Sequence, residues 1–173
     1  MGAYYCDSSA LVKRYAHEPG TLWVRSLTDP QAGHDIFTAH ITGIEVGAAI
    51  ARKTRLRKIA APDATTAIRT FKRHFTTQYH IVLMTTGLVD RAMELAEKHG
   101  LRGYDATQLA SALVVHAELA ASSVSEFVFI SADAELNDVA HAENLSVQNP
   151  NDHVRRKIRS ARLCGERPAS AGL

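Results

Sequence analysis

With 173 residues, 46% of them hydrophobic and 22% charged, the chain has the size and composition of one globular domain and can bury a core. Aromatic residues make up only 6%, which speaks against a surface of stacking platforms, and the two cysteines, Cys6 and Cys164, offer neither a disulfide framework nor metal spacing. No apolar stretch nears the roughly 20 residues of a membrane helix, and Asp7 interrupts the N-terminal run before a signal-peptide core forms, so a soluble cytoplasmic protein is expected.

Short runs rich in β-branched and aromatic residues alternate with longer segments of helical period, the pattern of an α/β domain on a parallel sheet. The first strand is predicted at Ala3 to Cys6, followed by helices at Ser9 to Ala16 and Thr21 to Leu27 with Pro19-Gly20 as the break between them. A second strand at Asp35 to Thr38 leads into helices at Ile41 to Lys53 and Asp63 to Gln78, the latter opened by Pro62. A third strand at Ile81 to Met84 precedes a helix at Leu88 to His99, where Gly100 suits the stop, and another at Ala106 to Ala121. Phe127 to Ile130, a helix at Ala134 to Glu143 and a last strand at Ser146 to Gln148 complete the domain, closed by Asn149-Pro150. The domain is therefore expected to span residues 1–150. Residues 151–173 form a basic C-terminal extension of net charge +4, with an end expected to be mobile, against −2 for the rest.

Four acidic residues stand where this pattern makes them costly. Asp7 and Asp133 follow two apolar strands, while Glu45 and Asp105 interrupt Ala-rich, Ile-rich and Leu-rich helical segments. In an open parallel sheet, ligands gather outside the carboxyl ends of strands, and Asp7 and Asp133 occupy two such ends. Glu45 shares a helical face with Ile41, Ala48, Ala49 and Arg52 and is expected to lean toward packing. Asp105 sits in a first helical turn on one stripe with Leu109, Ala112 and His116. Taken singly, Asp7, Asp105 and Asp133 are ordinary helix caps. Together at one sheet edge they repel, so protons or a bound cation must compensate, and a hard divalent cation with oxygen ligands is the economical choice.

The segments Cys6-Asp7-Ser8-Ser9-Ala10-Leu11-Val12-Lys13, Ile41-Thr42-Gly43-Ile44-Glu45-Val46, Tyr104-Asp105-Ala106 with Leu109-Ala110-Ser111-Ala112, and Ser131-Ala132-Asp133-Ala134-Glu135-Leu136 resemble the PIN domain family. Within that family the likeness is to the VapC toxins of bacterial toxin-antitoxin pairs, and it covers residues 3–150 in the family's order. The resemblance implies a PIN-like three-layer α/β/α domain with a four-to-five-stranded parallel sheet, acting as an endoribonuclease that depends on Mg²⁺ or Mn²⁺. Asp7, Glu45, Asp105 and Asp133 match the catalytic acids, with Asp7, Asp105 and Asp133 as metal ligands, and Ser8 and Ser131 take the places of secondary hydroxyls. It also implies a homodimer, for which the Asp63 to Gln78 and Leu88 to His99 segments are the expected surface, and a small antitoxin protein as partner. The basic extension lies beyond the resemblance.

A cation held by carboxylates would acidify water for in-line attack on a phosphodiester. No histidine or lysine pair sits in the four motifs, which argues against metal-free acid-base cleavage. Arg52, Lys53 and Arg55 follow the Glu45 helix and are expected to help hold RNA phosphates, although such runs are commonly only a solvated surface. A phosphatase of the haloacid dehalogenase type would need a second acid where Ser9 stands, and the acidic pair, later phosphoacceptor and lysine of a receiver domain are missing. A non-catalytic PIN scaffold and a housekeeping RNA-processing nuclease are the alternatives to a toxin.

Overall fold

The structure, a computed structural model, describes residues 2–121 and 126–153. Five strands, β1 (Ala3–Cys6), β2 (Asp35–Ala39), β3 (His80–Val82), β4 (Phe127–Ile130) and β5 (Ser146–Gln148), form one sheet in the order β3-β2-β1-β4-β5. Every pairing is parallel. Seven α-helices connect and cover them: α1 (Ser8–Tyr15), α2 (Thr21–Leu27), α3 (Thr42–Arg55), α4 (Ala61–Thr77), α5 (Thr86–His99), α6 (Gly103–Ala121) and α7 (Ala134–Ala142). Short 3₁₀ turns at Pro30–Ala32 and Pro150–His153 add to the predicted elements. The basic extension beyond His153 lies outside the described residues.

Two apolar cores lie on the two faces of the sheet. Tyr5, Leu95, Leu109 and Phe129 belong to one, with α5, α6 and α7, whereas Leu11, Val46, Ile50, Phe71 and Ile130 belong to the other, with α1, α3 and α4. Side chains alternate along β4, so Phe127 and Phe129 enter the first core and Val128 and Ile130 the second. A parallel strand covered on both faces needs such a continuous apolar run, and all four residues of β4 are buried. Three layers, α/β/α, follow directly.

Three expectations shift. The third strand is His80–Val82 rather than Ile81 to Met84: it lies at the sheet edge and pairs only with β2, and Leu83 and Met84 leave it exposed. The inward ridge of α3 is Thr42, Val46 and Ile50, spaced four apart, while Ala48 and Arg52 face outward and Glu45 is half-buried beside the ridge. α4 turns its own apolar residues inward: Ala64 and Phe71 join the second core, and Arg69, Lys72 and Arg73 face out. It is a polar surface rather than the apolar one expected of a dimer face.

Sheet topology fixes where a ligand fits. From β1 the chain crosses to β2 on one side, while β4 lies on the other, so the edge between the carboxyl ends of β1 and β4 is a topological switch point. The ladder continues there, with Asp7 N–H donating to Ile130 O at 3.1 Å. Asp7 and Ser131 are therefore delivered side by side.

Candidate active site

Asp7 leaves β1 in an extended conformation and caps α1, its Oδ1 accepting the Ala10 N–H at 2.8 Å. The Ser9 hydroxyl donates to the same carboxylate, 2.8 Å from Oδ1 and 3.0 Å from Oδ2, and the Ser131 hydroxyl donates to Oδ2 at 2.8 Å. Three donors thus hold a group with about four acceptor positions. Ser9 Oγ also accepts the Ala132 N–H at 2.8 Å, tying α1 to the turn after β4. Asn137 of α7 fastens that turn through its Nδ2, 3.0 Å from Ser131 O.

Glu45 is fixed from the opposite core. Gln108 of α6 donates through Nε2 to Glu45 Oε2 at 2.6 Å and to Thr42 Oγ1 at 2.9 Å, while its Oε1 accepts the Tyr5 hydroxyl at 2.7 Å. One buried amide therefore joins β1, α3 and α6. Ser9, rather than the expected Ser8, is the neighbouring hydroxyl that serves Asp7.

Asp105 lies in the first turn of α6, half-buried, and Asp133 caps α7 through the Leu136 N–H at 3.1 Å while remaining exposed. The acids feel one another in sequence along the edge. Burial raises the Asp7 pKa from its ordinary 3.8 to about 6, with Glu45 adding to the rise against the stabilising bonds from Ala10, Ser131 and Ser9. Burial also raises Glu45, with Asp105 adding, against Gln108 and Ser8. Asp105 is raised by burial and then by Asp133 and Glu135, against Arg102. The structure thus brings the four predicted acids into one electrostatic row and adds Glu135.

Arg52 and Arg55 are not brought to that row. They stand seven and ten residues beyond Glu45 on α3, or about 10 and 15 Å along the helix at 1.5 Å per residue, and both are exposed. Lys53 is committed elsewhere, to an ion pair with Glu18, which also binds the Lys13 ammonium at 3.1 Å.

The donor set suits a hard cation. Among the described residues no three His, Cys, Asp or Glu side chains converge on a single ion-sized point, but Mg²⁺ needs only one or two direct carboxylates and keeps much of its water. Carboxylates that raise one another's pKa supply the uncompensated negative charge such an ion would neutralise. The residues present therefore fit a hydrated divalent cation at the switch point.

A PIN domain model matches residues 4–142. The chain belongs to the PIN domain family. No curated relative matches this PIN domain. Among solved structures it is similar to PAE2754 from Pyrobaculum aerophilum, at 24% identity and TM-score 0.53 over 87% of this chain and 91% of that one. It is also similar to VapBC2 from Rickettsia felis bound to a DNA fragment from its promoter, at 12% identity and TM-score 0.55, covering 85% and 98% of the two chains. FitAcB from Neisseria gonorrhoeae matches at 14% identity and TM-score 0.57, over 85% and 97%. These likenesses establish the fold, and PIN domains are in general nucleases.

Sequence reasoning missed Ser9, Thr42, Gln108 and Glu135. Gln108 carried a signal: it is a polar residue within an Ala-rich and Leu-rich helix, three positions after Asp105 on the same side. Its burial at 1% exposure demands partners. No helix among the described residues is long and apolar enough to cross a membrane.

Proposed function

We propose that this PIN domain is a Mg²⁺- or Mn²⁺-dependent endoribonuclease, the toxin of a toxin-antitoxin pair, working in the cytoplasm as a homodimer and silenced by a small antitoxin protein. The observation that carries the reading is the row Asp7, Glu45, Asp105 and Asp133 at the switch point, with Asp7 held buried by three donors. The likeness of its fold to VapBC2 and FitAcB supports the toxin part.

One or two of Asp7, Asp105 and Asp133 would hold the cation directly and the rest through its water, and Glu45, fixed by Gln108, would accept a proton from water approaching the phosphate. When bound, the cation supplies Lewis acidity and neutralises charge gathering on the phosphate. Ser9 and Ser131 keep Asp7 oriented and favour its charged form, which is the form a cation needs. Arg52 and Arg55 serve as outlying phosphate contacts along α3. The extension from residue 151 adds sequence-independent attraction for RNA through its net charge of +4. Its point of departure is observed: Asn151 accepts from the Lys13 ammonium at 2.9 Å, and the His153 ring stacks on Trp23 with centroids 4.1 Å apart. Gly20 makes room for this turn, with φ +84°, where any Cβ would lie 2.2 Å from Pro150 O.

The test is cleavage of RNA by purified protein with Mg²⁺ or Mn²⁺, leaving 5′-phosphate and 3′-hydroxyl ends, and its loss with EDTA or in a folded Asp7→Asn variant. Undiminished cutting in EDTA rejects the mechanism. Cleavage without any growth defect on expression, and without a co-purifying partner from the neighbouring gene, turns the reading to a housekeeping nuclease.

A further inference from the structure

The acidic row occupies the carboxyl ends of the strands, and a second polar cleft lies at the other edge of the sheet, among α1, α2 and α4. It consists of two adjoining hollows of about 290 and 270 Å³ that share Arg14, Tyr15, Arg25 and Thr70. His74 and Asp29 line one end, Asp63 and Thr66 the other. Arg14 stands seven residues beyond Asp7, about 10 Å along α1 at 1.5 Å per residue, and bonds Tyr79, the residue before β3. The cleft is therefore at the amino ends of the strands, away from the acids.

Its side chains are held in place yet keep donors to spare. Arg14 donates through Nη1 to the Tyr79 hydroxyl at 2.6 Å; that phenol meets the Tyr15 hydroxyl, which meets His74 Nδ1 at 3.0 Å. Arg25 donates through Nε to Arg14 O at 3.0 Å. A guanidinium carries five N–H donors, and among the described residues no carboxylate pairs with either arginine. Burial lowers the His74 pKa, and Arg14 and Arg73 add to the fall, so this positive charge is felt inside the fold. The threonines of α4 show the same reserve. Thr65 returns its hydroxyl to Ala61 O at 3.0 Å and Thr77 to Arg73 O at 2.8 Å, but Thr66 and Thr70, which line the cleft, bond no group among the described residues.

Two guanidiniums and an unengaged hydroxyl around one space fit an oxyanion, because planar N–H forks pair bidentately with phosphate oxygens. Asp29 and Asp63 flank that space and oppose the passage of a long polyanion through it. Asp29 is occupied by the Gln31 N–H at 2.9 Å, whereas the Asp63 carboxylate has no such partner among the described residues and can accept from hydroxyls. Hollows of this size stand at the lower end of small-molecule sites, about 300 Å³, and suit one nucleotide rather than a strand. We propose that the cleft binds a ribonucleoside 5′-monophosphate, with its phosphate on Arg14, Arg25 and Thr70 and its ribose diol on Asp63. The site is separate from the acidic row and stands whether or not the nuclease reading does.

Titration calorimetry of the full, metal-free chain tests this with adenosine 5′-monophosphate, its 2′,3′-dideoxy analogue, inorganic phosphate and a short 5′-phosphorylated RNA. The monophosphate should bind at one site per chain, and each of the other three at least tenfold more weakly. Arg25→Gln, at an exposed residue outside the core, should weaken the monophosphate at least tenfold, as should Thr70→Leu, which fills the shared space. Asp63→Asn should bring the monophosphate and its dideoxy analogue to equal affinity. Lys72→Gln removes the same charge from an exposed residue of α4 that lines neither hollow, and should leave affinity within twofold. Absence of monophosphate binding overturns the site, as does equal loss in Lys72→Gln and Arg25→Gln, which would mean attraction to general surface charge. Inorganic phosphate or the dideoxy analogue binding as tightly as the monophosphate overturns the ribose contact. Tighter binding of the RNA, lost in Arg25→Gln, overturns the free nucleotide as occupant and makes the cleft an RNA contact.

Discussion

The Ser131 hydroxyl donates to Asp7 Oδ2 at 2.8 Å, joining the ends of two neighbouring strands across 124 positions of sequence. This bond favours the carboxylate over the acid, so removing it should raise the Asp7 pKa above about 6. Ser131→Ala should therefore shift the acid limb of the cleavage pH profile upward and depress activity more at pH 6 than at pH 8. Ser131 acts through Asp7 and is a positioning residue. Equal loss at all pH values would show that the hydroxyl serves packing alone.

The strand ends were legible in sequence because an apolar run that stops at an acid is a local signal: β1, β4 and β5 fall where the sequence places them. Asp7 and Asp133 stand out for the same reason, whereas Glu45 and Asp105 stand out as acids within Ala-rich helical segments. Their partners do not. Whether Ser8 or Ser9 serves Asp7 depends on the turn that starts α1 and on the Ala132 N–H arriving from β4. Gln108 reaches Tyr5 across 103 positions, a pairing set by how α6 packs on the sheet rather than by any neighbour in sequence.

The buried charge of Asp7 makes stability depend on pH. Its folded pKa of about 6 exceeds the ordinary 3.8, so between those values the native protein binds a proton that the unfolded chain has released. Stability should fall as pH rises through that window, with the loss complete above about pH 6 and amounting to at most about 3 kcal/mol at 1.36 kcal/mol per pKa unit. Thermal melts of EDTA-treated protein should show a higher Tm at pH 5 than at pH 7. Asp7→Asn should flatten that difference, and Mg²⁺ should raise the wild-type Tm at pH 7 but not that of the variant. An identical pH dependence in Asp7→Asn would mean that other groups carry it.

Gln108 is the joint of the second half of the site. Gln108→Leu preserves bulk but leaves the Tyr5 hydroxyl without its acceptor and one side of Glu45 without its donor. Each orphaned buried group costs about 1–3 kcal/mol, so urea unfolding should show a loss of at least about 2 kcal/mol. Glu45 should also become harder to ionise, because the Gln108 bond opposes the rise caused by burial. Gln108→Glu separates the two effects: it keeps the size but sets a second carboxyl against Glu45, and should harm cleavage more than Leu does. A Leu variant as stable as wild type would show that water replaces the amide.

Among the basic residues after Glu45, position on α3 and pairing predict different roles for neighbours. Arg52 and Arg55 are exposed, whereas Lys53 is ion-paired with Glu18, whose other partner is the buried Lys13. If the two arginines hold phosphates, Arg52→Ala with Arg55→Ala should weaken RNA binding to the inactive Asp7→Asn protein at low salt. The slope of log affinity against log salt should then flatten by about 0.7 for each phosphate of a single strand that is no longer neutralised. Stability should be unchanged. Lys53→Ala should do the reverse: its charge is already engaged by Glu18, so the salt slope should stay within error. Removing that pair should lower unfolding free energy by up to about 1 kcal/mol, the upper end for ion pairs that water reaches. Salt titrations by fluorescence anisotropy and urea denaturation of both variants supply the two readouts. A flattened slope in Lys53→Ala with unaltered stability would mean that Lys53 leaves Glu18 for the RNA, and the assignment of the three residues would have to be exchanged.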